Sequence, residues 1–201
     1  IPPFDKNITY KYDNIRIKKT QICSLHYRHS PKKSIIIFYR KCVRNGGQER
    51  RISVKAGAVI VAAGMSTRMK QFKQMMKIGN FTMAERVAIN FKRAGIQDIV
   101  MVTGYRSRQL EAYLDYLDLE FVENKQYEHT DMFESARIGF RRLQNRCDKV
   151  LFCPADIPFF TDDTVKKVLS QNAEIVAPRC EGRSGHPISI HRELIPAILS
   201  Y

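Results

Sequence analysis

Continuously apolar runs alternate with amphipathic segments from about residue 55 onward. A run that is apolar at every position predicts a strand buried on both faces, as in parallel sheets. On this basis, strands are predicted at residues 58–63, 98–103 and 149–153. Further strands are predicted at residues 120–122, 174–177 and 187–190. One more apolar run, at residues 34–39, fits a single strand, but no amphipathic helix flanks it.

Segments with apolar residues at helical spacing lie between these strands. Thr82 and Glu85 form a capping box that predicts the start of a helix, and Gly95 predicts its end. Further helices are predicted at residues 107–117, at residues 132–143 and after Thr161.

The alternation of strands and helices predicts an α/β fold. Successive βαβ units give a three-layer, Rossmann-like, mostly parallel sheet with helices on both faces. In such sheets, ligands bind beyond the carboxyl ends of the strands. Candidate chemistry is therefore expected in the loops that follow residues 63, 103 and 153.

The chain is basic, but its basic residues are concentrated in the first quarter. It has 201 residues, with 34 Lys and Arg against 20 Asp and Glu, and a formal net charge of +14. Residues 1–53 hold 13 of the bases and 3 of the acids, whereas residues 54–201 hold 21 and 17. Most of the net positive charge therefore belongs to residues 1–53 rather than to the predicted domain.

Three interpretations of residues 1–53 stay open. They form a basic arm for nucleic acid or another anionic surface, an extension that packs on the main domain, or a segment outside the working protein. The last is slightly favoured, because the chain starts at Ile1 without Met and stops at Tyr201 in what looks like a helix. Val54 stands where an alternative GTG start codon would appear. We expect a domain at 54–201 that lacks its last elements, preceded by a non-native or poorly ordered extension.

Composition and cysteine spacing exclude several classes of protein. No stretch approaches the roughly 18 consecutive apolar residues of a membrane span. The five cysteines show neither a disulfide framework nor a C-x-x-C pair. An integral membrane protein, a secreted disulfide mini-protein and a zinc ribbon are therefore not expected. Residues 54–201 also lack a basic stripe interleaved with aromatic residues, so nucleic acid is not an expected partner of the domain.

The turn after the first strand of the domain carries a candidate anion site. Gly64 lets backbone N–H groups approach an anion closely, and Arg68 and Lys73 supply positive charge for phosphates. The segment is neither G-x-G-x-x-G nor a P-loop. From spacing alone, a solvated loop with incidental basic residues explains the pattern equally well.

Two later segments carry further candidates. Asp156 follows a buried strand, between Pro154 and Pro158, where a carboxylate suits Mg²⁺ bridging to phosphates. The alternative is an ordinary turn aspartate. His186 lies in a glycine-containing turn at residues 182–187, as a general base, a phosphate ligand or, by default, a hydrogen-bonded turn residue. The chain has no G-x-S-x-G elbow.

Four segments, taken in order, resemble the MobA-like nucleotidyltransferase family, especially its molybdenum cofactor cytidylyltransferase branch. Residues 62–69 with Lys73 are similar to the nucleotide-binding motif L-A-A-G-x-S-x-R-M-G-x-x-K. Residues 132–135 resemble the segment that opens the following helix and helps to hold the nucleotide. Residues 156–158 resemble the metal-binding D-x-P motif, and residues 185–187 the G-H-P turn of this branch.

The resemblance covers residues 56 to 201, and it has three departures. Lys70 stands where the family usually has Gly, and Asp131 replaces another frequent Gly. The chain also stops before the last strand and helix of the family, where a second acidic metal ligand usually lies. The first motif is the most specific of the four.

The resemblance implies a role for each matching residue. Nucleotide binding is implied for Ala62, Ala63, Gly64, Ser66, Arg68, Lys73 and Ser135. Arg68 and Lys73 would neutralise the triphosphate and the leaving pyrophosphate, and with Asp156 they form the implied catalytic set. Asp156 would hold Mg²⁺, and Gly185 and His186 would lie near the acceptor.

The implied reaction is attack by an acceptor phosphate on the α-phosphorus of a nucleoside triphosphate, which expels pyrophosphate. Ala63 in the A-A-G sequence favours CTP over GTP, so CMP would pass to a phosphate-bearing acceptor such as molybdopterin. The resemblance also implies a cytoplasmic protein and a molybdoenzyme as a candidate partner. Three alternatives remain: a cytidylyltransferase for a sugar phosphate or phosphocholine, a nucleotide-binding molybdoenzyme maturation factor without turnover, and a nucleic-acid-binding protein that uses residues 1–53.

Overall fold

The computed structural model describes residues 54–65, 71–180 and 182–201, together with the backbone of one strand at 34–39. The strands are β1 (Ser34–Tyr39), β2 (Ala56–Val61), β3 (Lys77–Ile78), β4 (Phe81–Thr82), β5 (Asp98–Thr103), β6 (Glu120–Glu123), β7 (Lys149–Pro154), β8 (Ile175–Cys180), β9 (Arg183–Ser184) and β10 (Ile188–His191). The α-helices are α1 (Met83–Arg93), α2 (Ser107–Leu114), α3 (Met132–Leu143), α4 (Asp162–Leu169) and α5 (Ile195–Ser200). Short 3-10 helices lie at Lys73–Met75, Asp115–Leu117 and Arg192–Leu194.

The main sheet has the strand order β1-β8-β10-β7-β2-β5-β6, and β9 pairs with β8 beside this path. Strands β7, β2, β5 and β6 run parallel, whereas β10 is antiparallel to both of its neighbours, and β1 is antiparallel to β8. The predicted α/β class, with a mostly parallel sheet and helices on both faces, is confirmed.

Strand β2 lies in the middle of the sheet, and its side chains alternate between two apolar cores. Ala58 and Ile60 pack in the core that includes residues of α1, α2 and α4. Val59 and Val61 pack on the other face, in the core that includes residues of α3 and α5. Both faces of β2 are covered, which explains why its sequence is apolar without interruption.

Helix α1 begins at the predicted capping box. The Glu85 N–H donates to the Thr82 hydroxyl oxygen at 3.3 Å, and the Thr82 N–H donates to the Glu85 carboxylate at 2.8 Å. Gly95, just past the helix, has a φ of +90°, a conformation that an L side chain rarely adopts. The two ends of this helix are thus fixed by the residues that predicted them.

Helix α3 approaches the sheet closely at Gly139. A Cβ atom at this position would overlap the side chain of Val59 in β2 and would press on Val102 in β5. Only glycine therefore lets α3 approach the sheet this closely. The same helix carries Ser135 toward the carboxyl end of β2.

The structure differs from the predicted elements at α2 and at a short hairpin, and it agrees with them at the apolar run 34–39. Helix α2 ends at Leu114, and a 3-10 turn ending at Asp118 (φ +50°) completes the predicted segment. The hairpin of β3 and β4 was not predicted, because each of its strands has only two residues. The apolar run 34–39 does form a strand, at the edge of the sheet next to β8.

The rest of residues 1–53 lies outside the described part, and a domain boundary near Val54 stays a prediction. Among the described residues, no helix is both long and apolar enough to cross a membrane.

Candidate functional site

A cavity of about 250 Å³ opens at the carboxyl ends of β2 and β7. It lies where ligands are expected in a parallel α/β sheet. Its walls come from the loops that follow these two strands, the 3-10 turn at Lys73–Met75, and the start of α3. The lining residues are Val61, Ala63, Gly64, Lys73, Gln74, Tyr127, Thr130, Asp131, Met132, Ser135, Pro154, Ala155 and Asp156.

Two oppositely charged side chains face each other in this cavity. The Lys73 ammonium lies 3.9 Å from a carboxylate oxygen of Asp156. The side chain of Lys73 is 32% exposed and that of Asp156 is 46% exposed, so both groups remain accessible to a ligand. A pair this long and this well solvated contributes little to stability. The two charges are therefore available for binding.

The turn that follows β2 is held from both sides. The buried side chain of Gln74 donates to the carbonyl oxygens of Ala62 and Gly64, at 3.2 and 2.9 Å. On the other side, the Tyr105 N–H donates to the carbonyl oxygen of Ala63 at 3.2 Å. All three carbonyl groups of this turn thus have protein donors.

The wall opposite Lys73 is organised by Asn124, which is buried. Its side-chain nitrogen donates to the hydroxyl oxygens of Thr130 and Ser135, at 2.8 and 3.0 Å. Its side-chain oxygen accepts a hydrogen bond from the Gln126 N–H at 3.0 Å. With its polar atoms bonded in this way, Asn124 ties the loop before α3 to Ser135 in the first turn of that helix.

Helix α3 starts at the edge of the cavity. Asp131 is its N-cap residue, and the Asp131 carboxylate accepts a hydrogen bond from the Glu134 N–H at 3.0 Å. Ser135 follows one turn later and is buried. The Asp131 carboxylate thus satisfies one of the free backbone N–H groups at the start of the helix.

The structure brings several of the predicted site residues together. Ala63, Gly64, Lys73, Ser135 and Asp156 all line the one cavity. Ala62 lies just behind them, with its carbonyl oxygen bonded to Gln74. Ser66 and Arg68 fall on residues 66–70, outside the described part, so their contribution stays a prediction.

Gly185 and His186 do not line this cavity. The Gly185 N–H donates to the Pro178 carbonyl oxygen at 2.7 Å. His186 is buried, with its ring edge-on to Phe152 at 5.7 Å between centroids. Burial lowers the pKa of His186 to about 4, so the imidazole is neutral at neutral pH. The role of these two residues toward an acceptor stays a prediction.

Four polar lining residues were not predicted as site residues: Gln74, Tyr127, Thr130 and Asp131. Asp131 and Glu134 match an N-cap pattern, which could have placed Asp131 at the start of α3. Gln74 directly follows Lys73, but nothing in its residue type signals a role. Tyr127 and Thr130 lie in a loop whose path depends on Asn124, which a single sequence does not show.

The oxygen donors of the cavity suit a hard divalent cation. Asp156 supplies a half-exposed carboxylate, and Asp131 supplies a second carboxylate in the same cavity. Among the residues that the structure describes, no three His, Cys, Asp or Glu side chains converge as a closed metal cage. Mg²⁺ does not need one, because it is usually held by one or two carboxylates together with waters and substrate phosphates. The residues present therefore fit Mg²⁺ better than they fit a metal that needs several protein ligands.

Comparison with known proteins identifies the family of this chain. The family model of the MobA-like NTP transferase domain matches residues 58–201. The chain is 28% identical over 136 residues to molybdenum cofactor cytidylyltransferase of Escherichia coli (strain K12), covering 67% of this chain and 69% of that protein. It spans 26% of the length of the bifunctional protein GlmU of Staphylococcus haemolyticus, with 26% identity over 121 residues.

Solved structures share the fold. A nucleotidyl transferase from Methanothermobacter thermautotroptrophicus superimposes with a TM-score of 0.63 at 20% identity, covering 73% of this chain and 76% of that chain. Rv0371C from Mycobacterium tuberculosis H37Rv, solved in complex with manganese, gives a TM-score of 0.59 at 20% identity over 73% and 76% of the two chains. At this identity, the similarity establishes the architecture alone.

Proposed function

The chain belongs to the family of the MobA-like NTP transferase domain, and from this premise we propose that it transfers CMP from CTP to a phosphate-bearing acceptor. Molybdopterin cofactor is the proposed acceptor, and pyrophosphate is the second product. We assign this activity to a nucleotidyltransferase domain at residues 54–201.

One observation carries the proposal. Lys73 and Asp156 come from opposite halves of the domain, yet they meet at 3.9 Å in one cavity at the carboxyl edge of the sheet. Transfer of a nucleotidyl group requires positive charge for the triphosphate and a carboxylate for its metal ion, side by side. If the charges of these two loops were incidental, Lys73 and Asp156 would not be expected to share a cavity.

The reaction needs no protein nucleophile. An oxygen of the acceptor phosphate forms a bond to the α-phosphorus, and the bond from the α-phosphorus to the bridging oxygen of the β-phosphate breaks. The electron pair leaves with pyrophosphate, so the charge of the leaving group grows as the bond breaks. Lys73 would neutralise that charge, together with Arg68. Ser135 would contact the nucleoside, and the Ala62–Gly64 turn would border the phosphates and the base.

Asp156 would hold the divalent cation, which we propose to be Mg²⁺. When bound, the cation neutralises part of the phosphate charge and orients the triphosphate. With Asp156 holding the cation, the Lys73 ammonium would be available to a phosphate oxygen. Each of the two charges would then have a partner of opposite sign.

The choice of CTP rests on two observations. Ala63 lies in the A-A-G sequence that favours CTP over GTP, and the E. coli relative is named as a cytidylyltransferase for molybdenum cofactor. The same name supports molybdopterin as the acceptor and a molybdoenzyme as the eventual partner.

The decisive experiment measures pyrophosphate release from each of the four nucleoside triphosphates, with Mg²⁺, in the presence and absence of molybdopterin. We expect release with CTP that depends on molybdopterin. Release with a sugar phosphate or phosphocholine in place of molybdopterin would assign a different cytidylyltransferase. Binding of CTP without any release would identify a maturation factor that does not turn over.

A further inference from the structure

Gln74 occupies a buried position in the wall of the cavity. It lies next to Lys73 in the 3-10 turn Lys73–Met75, and only 6% of the residue is exposed. Phe72, just before this turn, packs edge-on against Tyr105 at 5.7 Å between ring centroids. This contact holds the 3-10 turn against the loop that follows β5.

The amide of Gln74 directs both of its hydrogens to the turn after β2. Its nitrogen donates to the carbonyl oxygens of Ala62 and Gly64, at 3.2 and 2.9 Å. These peptide bonds are trans, so each carbonyl group and the following N–H group point in opposite directions. By fixing two carbonyl groups, Gln74 also fixes the directions of the N–H groups of Ala63 and Met65.

The oxygen of the same amide is left without a protein partner. Gln74 Oε1 is buried and accepts no hydrogen bond from the residues that the structure describes. A buried acceptor without a donor costs stability, although the nitrogen of the same amide satisfies two carbonyl oxygens. An unpaired buried acceptor in the wall of a cavity is a local violation of a kind that is typical of functional sites.

We propose that Gln74 is a positioning residue for the nucleotide, an inference that rests on the proposed function. Its side chain ties the turn that carries Lys73 to the peptide planes of the Ala62–Gly64 turn. The Lys73 ammonium and the backbone of the Ala62–Gly64 turn are then held in one fixed arrangement around the triphosphate. Without the amide, the two turns keep their folds but lose their alignment.

The test compares Gln74→Leu with Gln71→Leu. Both variants replace an amide by an apolar side chain, but Gln71 is exposed and does not line the cavity. We expect Gln74→Leu to raise the KM for CTP by about tenfold or more, because the misaligned turns no longer present the Lys73 ammonium and the backbone of the Ala62–Gly64 turn together to the triphosphate. Gln71→Leu should keep the wild-type KM. Circular dichroism and thermal unfolding should show both variants fully folded at the assay temperature.

Two results would overturn the inference. One is a Gln74→Leu enzyme with the wild-type KM for CTP. The other is a variant whose kcat falls only in proportion to its loss of folded protein, which is what a purely structural role produces. Gln74→Met, which keeps the length of the side chain but lacks both amide hydrogens, repeats the test if the leucine variant does not fold.

A different result would contradict the proposed function. If the wild-type chain neither binds a nucleoside triphosphate in isothermal titration nor releases pyrophosphate, the activity is wrong and the inference falls with it. If the wild-type chain is active and Gln74→Leu matches it, only the role of Gln74 is wrong.

Discussion

Lys73 and Asp156 form an ion pair across the carboxyl edge of the sheet, although Lys73 lies in the 3-10 turn Lys73–Met75 and Asp156 follows β7. Strands β2 and β7 are neighbours, and Val61 at the end of β2 lies opposite Pro154 at the end of β7. Parallel pairing therefore brings the segments that follow these two strands to the same edge of the sheet, where the ion pair forms.

Replacing Lys73 by alanine should lower the rate of pyrophosphate release by about 100-fold or more, because the leaving group loses a fixed positive charge. The free energy of unfolding should change by less than about 1 kcal/mol, since the ion pair is solvated. Lys77→Ala is the matched control, because Lys77 is exposed and lies outside the cavity. Unchanged release by the Lys73 variant would contradict the assignment.

Asp156→Asn should reduce activity and raise the Mg²⁺ concentration needed for half-maximal rate, because an amide oxygen binds the cation more weakly than a carboxylate does. A magnesium titration of pyrophosphate release measures this shift. Asp115→Asn makes the same change at an exposed position away from the cavity and should leave the titration curve unchanged. An Asp156 variant with the wild-type magnesium requirement would show that this carboxylate does not hold the cation.

Gly139→Ala should destabilise the fold by about 1–3 kcal/mol, because the added methyl group overlaps Val59 and forces α3 away from the sheet. On an exposed helix position, the same change would instead stabilise by roughly 0.5–1 kcal/mol. Urea unfolding followed by circular dichroism gives the difference, with Arg141→Ala in the same helix as the control. A Gly139→Ala protein as stable as wild type would mean that α3 can shift without cost.

Acid should destabilise the protein through His186. Burial lowers the pKa of His186 to about 4 in the folded state, against about 6.5 in the unfolded chain. The unfolded state therefore binds the proton first, and the stability contributed by the neutral imidazole is complete above pH 6.5. It is lost progressively as the pH falls toward 4, by on the order of 3 kcal/mol.

His186→Gln should flatten this part of the pH dependence, whereas His129→Gln, at an exposed position, should not. Unfolding free energies from urea titrations between pH 4 and pH 7 provide the measurement. Parallel curves for wild type and the His186 variant would show that the imidazole does not account for the acid sensitivity.

The sequence predicts the order of the main elements because their signals are local. The apolar alternation of β2, the capping box at Thr82 and the glycine at position 95 each act within a few residues. The hairpin of β3 and β4 escaped prediction because two-residue strands carry no periodicity. The direction of β10 also escaped, since antiparallel pairing with β7 depends on contacts between distant parts of the chain.

Site residues could be predicted from the sequence only where the side chain itself is charged or reactive. Lys73 and Asp156 are charged and lie in motifs, so sequence could single them out as candidates. Gln74 and Asn124 act through hydrogen bonds to the backbone and to hydroxyl groups of residues that the fold brings near. Such partners follow from three-dimensional position rather than from residue type, so the network around the cavity became visible only in the structure.

The shared end point of β2 and β7 also constrains how the chain folds. These strands are far apart in the sequence, so pairing them costs the loop-closure entropy of a long intervening segment before the cavity exists. A slip of one residue between them would reverse every side chain of one strand. Nucleotide capture during refolding would therefore report a long-range assembly step.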